Sequence, residues 1–411
     1  MASVKRLTPL RWGALVLCGA LSLTACGGGG GFESPSASQT GGPITVLIGS
    51  SGDAETKAVT DAVAAWSSRS GVKASVDTAT DLNQQLSQGF ASGSPADVFY
   101  LSTDALAGYA KNGSLEAYGD KLSNKADFYP SLVQNFTYNG TFYCAPKDFS
   151  TLALVINTAA WKDAELTDAD IPTTWDQLAA VAKKLTTKKR VGLAFSSEYQ
   201  RLGVFMAQAG GGLVKDGKAI ADSDANVTAL NYVKSHLADG SFAYASSLGA
   251  GWGGEAFGKG LAAMTIEGNW ITGAMSSDYP KVDYTVVELP AGPAGKGTMQ
   301  YTNCWGMAAD SDNKDGSLSL IEYLTSTEQQ LAFSKAFGPM PSITSAADQW
   351  KAANPKLVSF LSGADYAQFM PNQAGAADVI SDFNSQLENL AKSDPKKILD
   401  SVQANLAPVV G

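Results

Sequence analysis

The stretch FYCAPKDFSTLALVIN, residues 142 to 157, decides the fold. It is extended, with one proline and no helical periodicity, and it lies between two segments in which strand and helix patterns alternate. Two similar stretches follow at residues 301 to 308 and at residues 337 to 343, the latter with Pro339 and Pro341. A chain that passes between two lobes has this appearance. The three passages therefore predict two discontinuous α/β lobes with a cleft between them.

The segments on either side of the first passage predict an α/β unit in each lobe. Before it, apolar runs predict strands at residues 44 to 48, 72 to 76 and 98 to 101. After it, Thr174 and Gln177 predict a capping box at a helix start, and residues 191 to 195 predict a strand. Alternating strands and helices are typical of parallel sheets.

The N-terminal 25 residues predict a secretory leader. Lys5, Arg6 and Arg11 precede an apolar run of about 14 residues, which is shorter than the roughly 20 that cross a bilayer as a helix. The leader ends in Leu-Thr-Ala followed by Cys26, which resembles a bacterial lipobox, where the cysteine is acylated and becomes the new N-terminus. Residues 26 to 43 then predict a flexible tether with a reach of about 20 to 25 Å.

Length, charge and cysteine content narrow the class of protein. Without the leader, 386 residues remain, more than the roughly 250 to 300 at which a single core stops growing. They carry 27 basic and 39 acidic residues, a formal charge of −12, which disfavours nucleic acid as a partner. Outside the cytoplasm, the remaining pair Cys144 and Cys304 suggests a disulfide, with two separate buried thiols as the alternative.

Six stretches of the chain resemble one known family. They are ASGSPADVFYL at 91 to 101, YNGTFYCAPKDFSTLALVINTAAW at 138 to 161, PTTWDQLAAVAKKLT at 172 to 186, FGKGLAAMTIEGNW at 257 to 270, YTVVELPAGPAGKGT at 284 to 298 and GMAADSDNKDGSLSLIEYLTSTEQQ at 306 to 330. Their order and spacing resemble the family 1 extracellular solute-binding proteins of ABC importers, of which the maltose-binding protein is the familiar member. The resemblance covers most of residues 44 to 406.

The resemblance implies a two-lobed periplasmic-binding-protein fold of type II, with a three-segment hinge. We expect an N-terminal lobe of residues 44 to 148 plus 306 to 340, and a C-terminal lobe of residues 149 to 305 plus 341 to 411. A sugar or short oligosaccharide would bind between the lobes, and a membrane permease would recognise the closed form. The family implies a monomeric receptor, held by lipid at the outer face of the membrane, that is no enzyme and uses no cofactor or metal.

Two departures weigh against maltodextrin specificity, although the carbohydrate class remains the expectation. Where the maltose-binding protein has an aromatic residue and an Asp-Arg pair after its third strand, this chain has Leu101 and then Asp104 followed by Ala105. The late aromatic residue that follows its Met-Pro-Asn tripeptide is matched here by Ile380.

Candidate ligand contacts follow from the chemistry of a sugar. Its apolar faces need flat aromatic side chains, and its hydroxyls need carboxylates, amides or hydroxyls. The stacking candidates are Trp252, Trp270 and Trp305, and the alternative for each is a place in the core. The polar candidates, with Phe149 beside one of them, are Ser51, Asp104, Asp148, Glu198, Glu267, Asn269 and Asn303. Each of these could instead be a solvated loop residue or a helix cap.

Two competing functions remain open at this stage. A secreted glycoside hydrolase also needs a cleft with paired carboxylates, for which Asp148 and Glu198 are candidates. The other is a receptor for glycerol phosphate, a polyamine, a metal complex or another small polar solute. A phosphate would favour Lys147 or Arg201 in the cleft, and a polyamine would favour a carboxylate-rich box. His236 is the only histidine, so a His-dependent triad or a multi-histidine metal site has little to build on.

Overall fold

The computed structural model describes residues 41 to 410, so the predicted leader, Cys26 and most of the predicted tether lie outside the described residues. The strands are β1 Ile44–Ile48, β2 Ala74–Thr78, β3 Val98–Ser102, β4 Thr137–Tyr138, β5 Thr141–Phe142, β6 Ala145–Asn157, β7 Val191–Phe195, β8 Val214–Lys215, β9 Lys218–Ala219, β10 Phe242–Tyr244, β11 Ala262–Gly268, β12 Tyr284–Val287, β13 Thr298–Met307 and β14 Ala367–Phe369.

The α-helices surround these strands. They are α1 Asp53–Ser70, α2 Leu82–Ser92, α3 Thr103–Lys111, α4 Pro130–Asn135, α5 Thr158–Asp163, α6 Trp175–Leu185, α7 Tyr199–Gln208, α8 Asp224–Ala238, α9 Gly253–Gly258, α10 Ile271–Ser277, α11 Lys314–Leu324, α12 Thr327–Phe337, α13 Ala347–Ala353, α14 Val358–Ser362, α15 Ala376–Leu387 and α16 Pro395–Val410. Among residues 41 to 410, none of these helices has the length and apolar character that a bilayer crossing requires.

Two long strands connect the halves of the molecule. In one half β1 pairs in parallel with β2 and β3, and in the other β7 pairs in parallel with β10 and β11. Between these halves, β6 and β13 pair with each other in antiparallel orientation. β6 also pairs antiparallel with β11, and β13 pairs antiparallel with β3. The third passage joins them at Met340, which exchanges backbone hydrogen bonds of 3.1 and 3.3 Å with Phe149. The predicted two-lobed α/β fold with three crossing segments is thus confirmed, although the crossing strands themselves are antiparallel.

Separate apolar cores fill the two halves. Val46, Val59 and Trp66 belong to the first core, which packs around β1 to β3. Leu193 and Phe383 belong to the second, which packs around β7 and β11. A third cluster surrounds the crossing strands and includes Phe149, Met340 and Trp350. The lobe boundaries at residues 148, 305 and 340 fall on the three passages and stay a prediction.

Local sequence signals place several elements correctly. β1 and β7 occupy the predicted residues, whereas β2 begins two residues later than predicted. The backbone N–H of Gln177 donates to Thr174 Oγ1 at 3.3 Å, as in the predicted cap. The second hydrogen bond of a capping box, from the backbone N–H of Thr174 to the Gln177 side chain, is replaced. Gln177 Oε1 instead accepts hydrogen bonds from the backbone N–H and the hydroxyl of Thr173.

The disulfide between Cys144 and Cys304 is present, so the alternative of two separate thiols is wrong. Both cysteines are buried in the first core. The bond joins the residue just before β6 to β13, and therefore ties two of the crossing segments together inside the first half.

Candidate functional site

A cavity of about 1480 Å³ lies where the crossing segments meet the two halves. Its first wall consists of residues 49 and 51 to 55, which follow β1, and residues 102 to 104, at the end of β3. Its second wall consists of Gln200, of Asn269, Trp270, Thr272, Gly273, Ser276 and Ser277 after β11, and of Ala377, Ile380, Ser381 and Asn384 on one face of α15. The floor comes from residues 147 to 150 of β6 and residues 300 to 303 of β13, beside the third passage.

Seven predicted residues line this cavity together. They are Ser51, Asp104, Asp148, Phe149, Asn269, Trp270 and Asn303. The ring of Phe149 is buried, with its centroid 5.3 Å from that of Tyr129. Ile380, which stands where the maltose-binding protein has an aromatic residue, also lines the cavity. The role of these residues as ligand contacts stays a prediction.

Two predicted tryptophans do not line the cavity. Trp305 is 1 % exposed and packs edge-on against Tyr100, with ring centroids 4.9 Å apart. It lies two residues, or about 7 Å, beyond Asn303 along β13, which places it inside the first core. Trp252 is half-buried and packs against the third apolar cluster. Neither indole lines this cavity, and the role of both as ligand contacts stays a prediction.

Two predicted carboxylates also lie away from the cavity surface. Glu198 lines a separate cavity of about 220 Å³, and within residues 41 to 410 the two cavities share Asn384 alone. Glu267 is fully buried and accepts hydrogen bonds from Arg201 Nη2 at 2.8 Å and from Trp270 Nε1 at 3.0 Å. Its carboxylate thus supports Trp270 from outside the cavity lining, and a direct role of Glu267 as a ligand contact stays a prediction.

Trp270 presents an exposed aromatic face to the cavity. It is 39 % exposed, while the other large apolar side chains of residues 41 to 410 are more buried. The Tyr301 ring meets it nearly edge-on at 5.6 Å, and the Arg201 guanidinium lies 5.3 Å from its ring centroid. A Cβ on Gly268 would lie 2.2 Å from the indole, so a glycine is needed there. Because the indole is held before binding, a ligand that stacks on it pays little ordering entropy.

The charged part of the site centres on Lys147, which sequence reasoning did not place in an ion pair. Its ammonium lies 3.1 Å from Glu55 Oε1 and also bonds Asp148. The second oxygen of Glu55 accepts hydrogen bonds from the backbone N–H and hydroxyl of Ser51, at 2.8 and 2.7 Å. Tyr100 donates to Glu55 Oε1 at 3.0 Å. Lys147 is therefore already occupied by two carboxylates.

These contacts determine the ionisation of the buried groups. Burial alone would raise the pKa of Glu55, but Lys147 and the Ser51 hydrogen bonds outweigh burial and lower it. Burial would lower the pKa of Lys147, but Asp148, Tyr100 and Glu55 together raise it. Burial raises the pKa of Asp148 against the opposing effect of Lys147. One ammonium thus serves two carboxylates, of which Glu55 is the better stabilised anion.

A bulge in β6 gives Lys147 and Asp148 this arrangement. Asp148 pairs with Asn303 of β13, while Pro146 pairs with the next residue, Cys304, so Lys147 is the extra residue. Bulges re-aim side chains, and here both consecutive side chains reach the cavity. Neither the bulge nor the burial of Glu55 has a local sequence signal.

Sequence reasoning also missed two polar groups that line the cavity. Gln300 is 1 % exposed, and its Oε1 has no hydrogen-bond partner among residues 41 to 410. Ser102 Oγ is likewise buried without a partner in that part of the chain. Unpartnered buried polar atoms are rare and point to a ligand or solvent partner. Within the described residues no group of three or more His, Cys, Asp or Glu side chains could hold a metal ion.

Known proteins resemble this chain over most of its length. The profile of the family described as bacterial extracellular solute-binding protein matches residues 61 to 358. A maltooligosaccharide ABC transporter solute-binding lipoprotein of Streptococcus pneumoniae is 27 % identical over 321 residues, 72 % of this chain and 71 % of the relative.

Solved structures share the fold. The cyclic alpha-maltosyl-1,6-maltose binding protein of Arthrobacter globiformis has a TM-score of 0.78 at 20 % identity, and covers 90 % of this chain and 99 % of its own. UgpB of Mycobacterium tuberculosis, in complex with glycerophosphocholine, has a TM-score of 0.75 at 19 % identity, over 90 % and 98 %. The family profile spans well over half of the chain, and the chain therefore belongs to the bacterial extracellular solute-binding proteins.

Proposed function

We propose that this protein is the receptor of an ABC importer, which captures a sugar or short oligosaccharide between its lobes and presents it to the permease. The observation that carries the proposal is the exposed indole of Trp270 beside a wall of hydrogen-bond acceptors. An aromatic face suits the apolar face of a sugar ring, and carboxylate and amide oxygens suit its hydroxyls. The pneumococcal and Arthrobacter proteins, both named for glucose oligomers, support this ligand class.

Closure of the cleft would couple ligand binding to transport. The cavity takes its walls from both halves of the molecule, and three crossing segments join those halves. A ligand that touches both walls binds the closed form more tightly, and so shifts the population towards it. A ligand that touches one wall alone would bind both forms equally and would not shift the population.

The lipid anchor would keep the receptor near its permease. Cys26 and most of the tether lie outside the described residues; among the described ones, the carbonyl of Gly42 accepts a hydrogen bond of 2.8 Å from Asn313. A tether before this point would leave the receptor a reach of about 20 to 25 Å. Mass spectrometry of the mature N-terminal peptide tests the proposal: a diacylated Cys26 supports it, and an unmodified one contradicts it.

A receptor is favoured over a glycoside hydrolase by the positions of the carboxylates. The two candidates for a catalytic pair, Asp148 and Glu198, line different cavities. Asp148 is bonded to Lys147, and Glu198 lies 3.4 Å from Arg201. Hydrolysis requires two carboxyl groups on either side of one glycosidic bond, and carboxylates that line different cavities and pair with basic side chains do not favour that arrangement.

A phosphate ligand is less favoured than a sugar. The two basic residues that could bind one, Lys147 and Arg201, are both held by buried carboxylates. The complex of UgpB keeps glycerophosphocholine in the panel of candidate ligands.

A thermal-shift panel tests the proposed function. It compares mono-, di- and trisaccharides with glycerol 3-phosphate and glycerophosphocholine, because a ligand at a hundred times its Kd stabilises the folded state by about 2.7 kcal/mol. We expect a saccharide to raise the Tm, and chromogenic glycosides to remain intact. A Tm raised by no saccharide, or turnover of a glycoside, would contradict the proposal.

A further inference from the structure

The charges that line the cavity are almost all negative. Its charged side chains are Asp53, Glu55, Asp104, Lys147 and Asp148, a formal sum of −3. Lys147 is shared by Glu55 and Asp148, so it offers no free positive charge to a ligand. Asp53 and Asp104 are exposed at the first wall and have no ion pair within residues 41 to 410.

Two helix N-termini contribute to the same wall without reversing its charge. α1 begins at Asp53 and α3 begins at Thr103, and each end carries about half a positive charge. Each helix has an aspartate in its first turn, Asp53 in α1 and Asp104 in α3, and α1 also has Glu55. The carboxylates outweigh the helix ends, so the wall stays negative.

The uncharged part of the cavity lining also favours a ligand that donates hydrogen bonds. The Oε1 atom of Gln300 can only accept a hydrogen bond, and no partner for it exists within residues 41 to 410. The second wall carries no charged side chain on the cavity surface. It presents the exposed indole of Trp270, an aromatic surface that can attract a cation as well as an apolar sugar face, and the Arg201 guanidinium that lies 5.3 Å from the ring centroid is neutralised by Glu267. The unpartnered oxygen of Gln300 is independent of the aspartates and indicates a ligand with hydrogen-bond donors, which an ammonium supplies.

We infer that the cleft prefers a saccharide that carries a protonated amine over the neutral saccharide of the same size, and that it rejects phosphorylated saccharides. This inference rests on the proposed function, because it concerns the chemistry of the sugar in the same site. A cleft lined by one sign of charge concentrates ligands of the opposite sign. An ammonium would find carboxylates on the first wall and floor and an aromatic face on the second, whereas a phosphate would find no free cation.

Calorimetric titration of matched saccharide pairs tests the preference. The pairs are glucosamine with glucose, and the fully deacetylated disaccharide chitobiose with cellobiose; glucose 6-phosphate is the anionic probe. At low salt we expect the amine to bind at least about tenfold more tightly than its neutral partner. The ratio should shrink in 0.5 M NaCl, because exposed charges are screened. Glucose 6-phosphate should bind more weakly than glucose.

Two variants of the first wall locate the effect. Asp53→Asn and Asp104→Asn each remove one charge that has no ion pair within residues 41 to 410, and each should lower the ratio of amine to neutral affinity about threefold, whatever the change in the affinity for the neutral sugar. Asp348→Asn is the matched control, because Asp348 is 98 % exposed and lies outside the cavity lining. It changes the net charge by the same amount and should leave the ratio unchanged.

The outcomes separate this inference from the function on which it rests. If neutral and amine-bearing saccharides bind within twofold of each other at low salt, or if Asp348→Asn moves the ratio as much as Asp104→Asn, the inference fails while the sugar receptor stands. If none of the saccharides binds, the proposed function fails and the inference fails with it.

Discussion

The two walls of the cleft use charge in opposite ways. On the first wall and the adjoining floor, Glu55, Lys147 and Asp148 lie at the cavity surface. On the second wall, the ion pair between Arg201 and Glu267 lies behind Trp270 and fixes an aromatic surface. The charged side chains of the first wall and floor are thus part of the recognition surface, whereas the ion pair of the second wall supports that surface from behind. Substitutions on the two sides should therefore fail in different ways.

Removal of the support on the second wall should have the largest effect. Glu267→Ala leaves the buried Arg201 guanidinium without its main partner, which costs about 3 to 5 kcal/mol of folding free energy. Chemical denaturation measures the loss. The double variant Arg201→Met with Glu267→Leu is the control, and it should recover most of the stability because an apolar pair needs no charge compensation. A Glu267→Ala protein as stable as the wild type would show that the pair supports nothing.

Loss of the disulfide should loosen the first half and leave the second wall in place. Cys144 and Cys304 are separated by 160 residues, and removal of a native disulfide costs about 2 to 5 kcal/mol. A Cys144→Ala and Cys304→Ala protein should unfold at a lower denaturant concentration, while its affinity for the sugar, measured by calorimetry, stays close to that of the wild type. A denaturant midpoint identical to that of the wild type would contradict the stabilising role of the disulfide.

Neutralising the floor should weaken binding and leave the fold largely intact. Asp148→Asn keeps the shape of the side chain but replaces a charged acceptor, and a hydrogen bond to a charged group contributes about 1.5 to 3 kcal/mol. Glu55 still holds Lys147 at 3.1 Å. We expect a ten- to hundredfold loss of affinity by calorimetry, with a Tm close to that of the wild type. Wild-type affinity in this variant would show that Asp148 does not bind the ligand.

The smallest effect should be a change in acid stability. The pKa of Glu55 in the folded state lies below its ordinary value of 4.5, so its contribution to stability is complete above pH 4.5. That contribution is lost as the pH falls from 4.5 through the lowered pKa. Glu55→Gln should therefore show a shallower loss of stability below pH 4.5, measured by urea unfolding at several pH values. Equal slopes for the two proteins would contradict the assignment.

Much of the fold could be predicted because its signals are local. The strands β1 and β7 are short apolar runs, and the passages show as extended stretches without a helical period. The first helix ends at Ser70, and the residue that caps it, Gly71, has a φ of 76° that suits glycine. Long-range contacts left no such signal. Glu55 is buried because Lys147 reaches it from 92 residues away, and the bulge beside Lys147 depends on the pairing of β6 with β13.

The tryptophans show the same limit within the site. Trp252, Trp270 and Trp305 have comparable polar or glycine-rich neighbours in sequence, yet Trp270 alone among these three lines the cavity. What distinguishes Trp270 is its contacts with Glu267, Arg201 and Tyr301, which come from three different elements. Such contacts are visible only once the chain is folded.

Comparison of Trp270→Ala with Trp252→Ala tests the central claim most directly. Both variants remove an indole that precedes a short helix, but only Trp270 lines the cavity. Calorimetry with the saccharide identified by thermal shift should show an affinity loss of at least about thirtyfold for Trp270→Ala, because a central aromatic contact contributes about 2 kcal/mol or more. Trp252→Ala should bind like the wild type. Unchanged affinity in a folded Trp270→Ala protein would contradict the account.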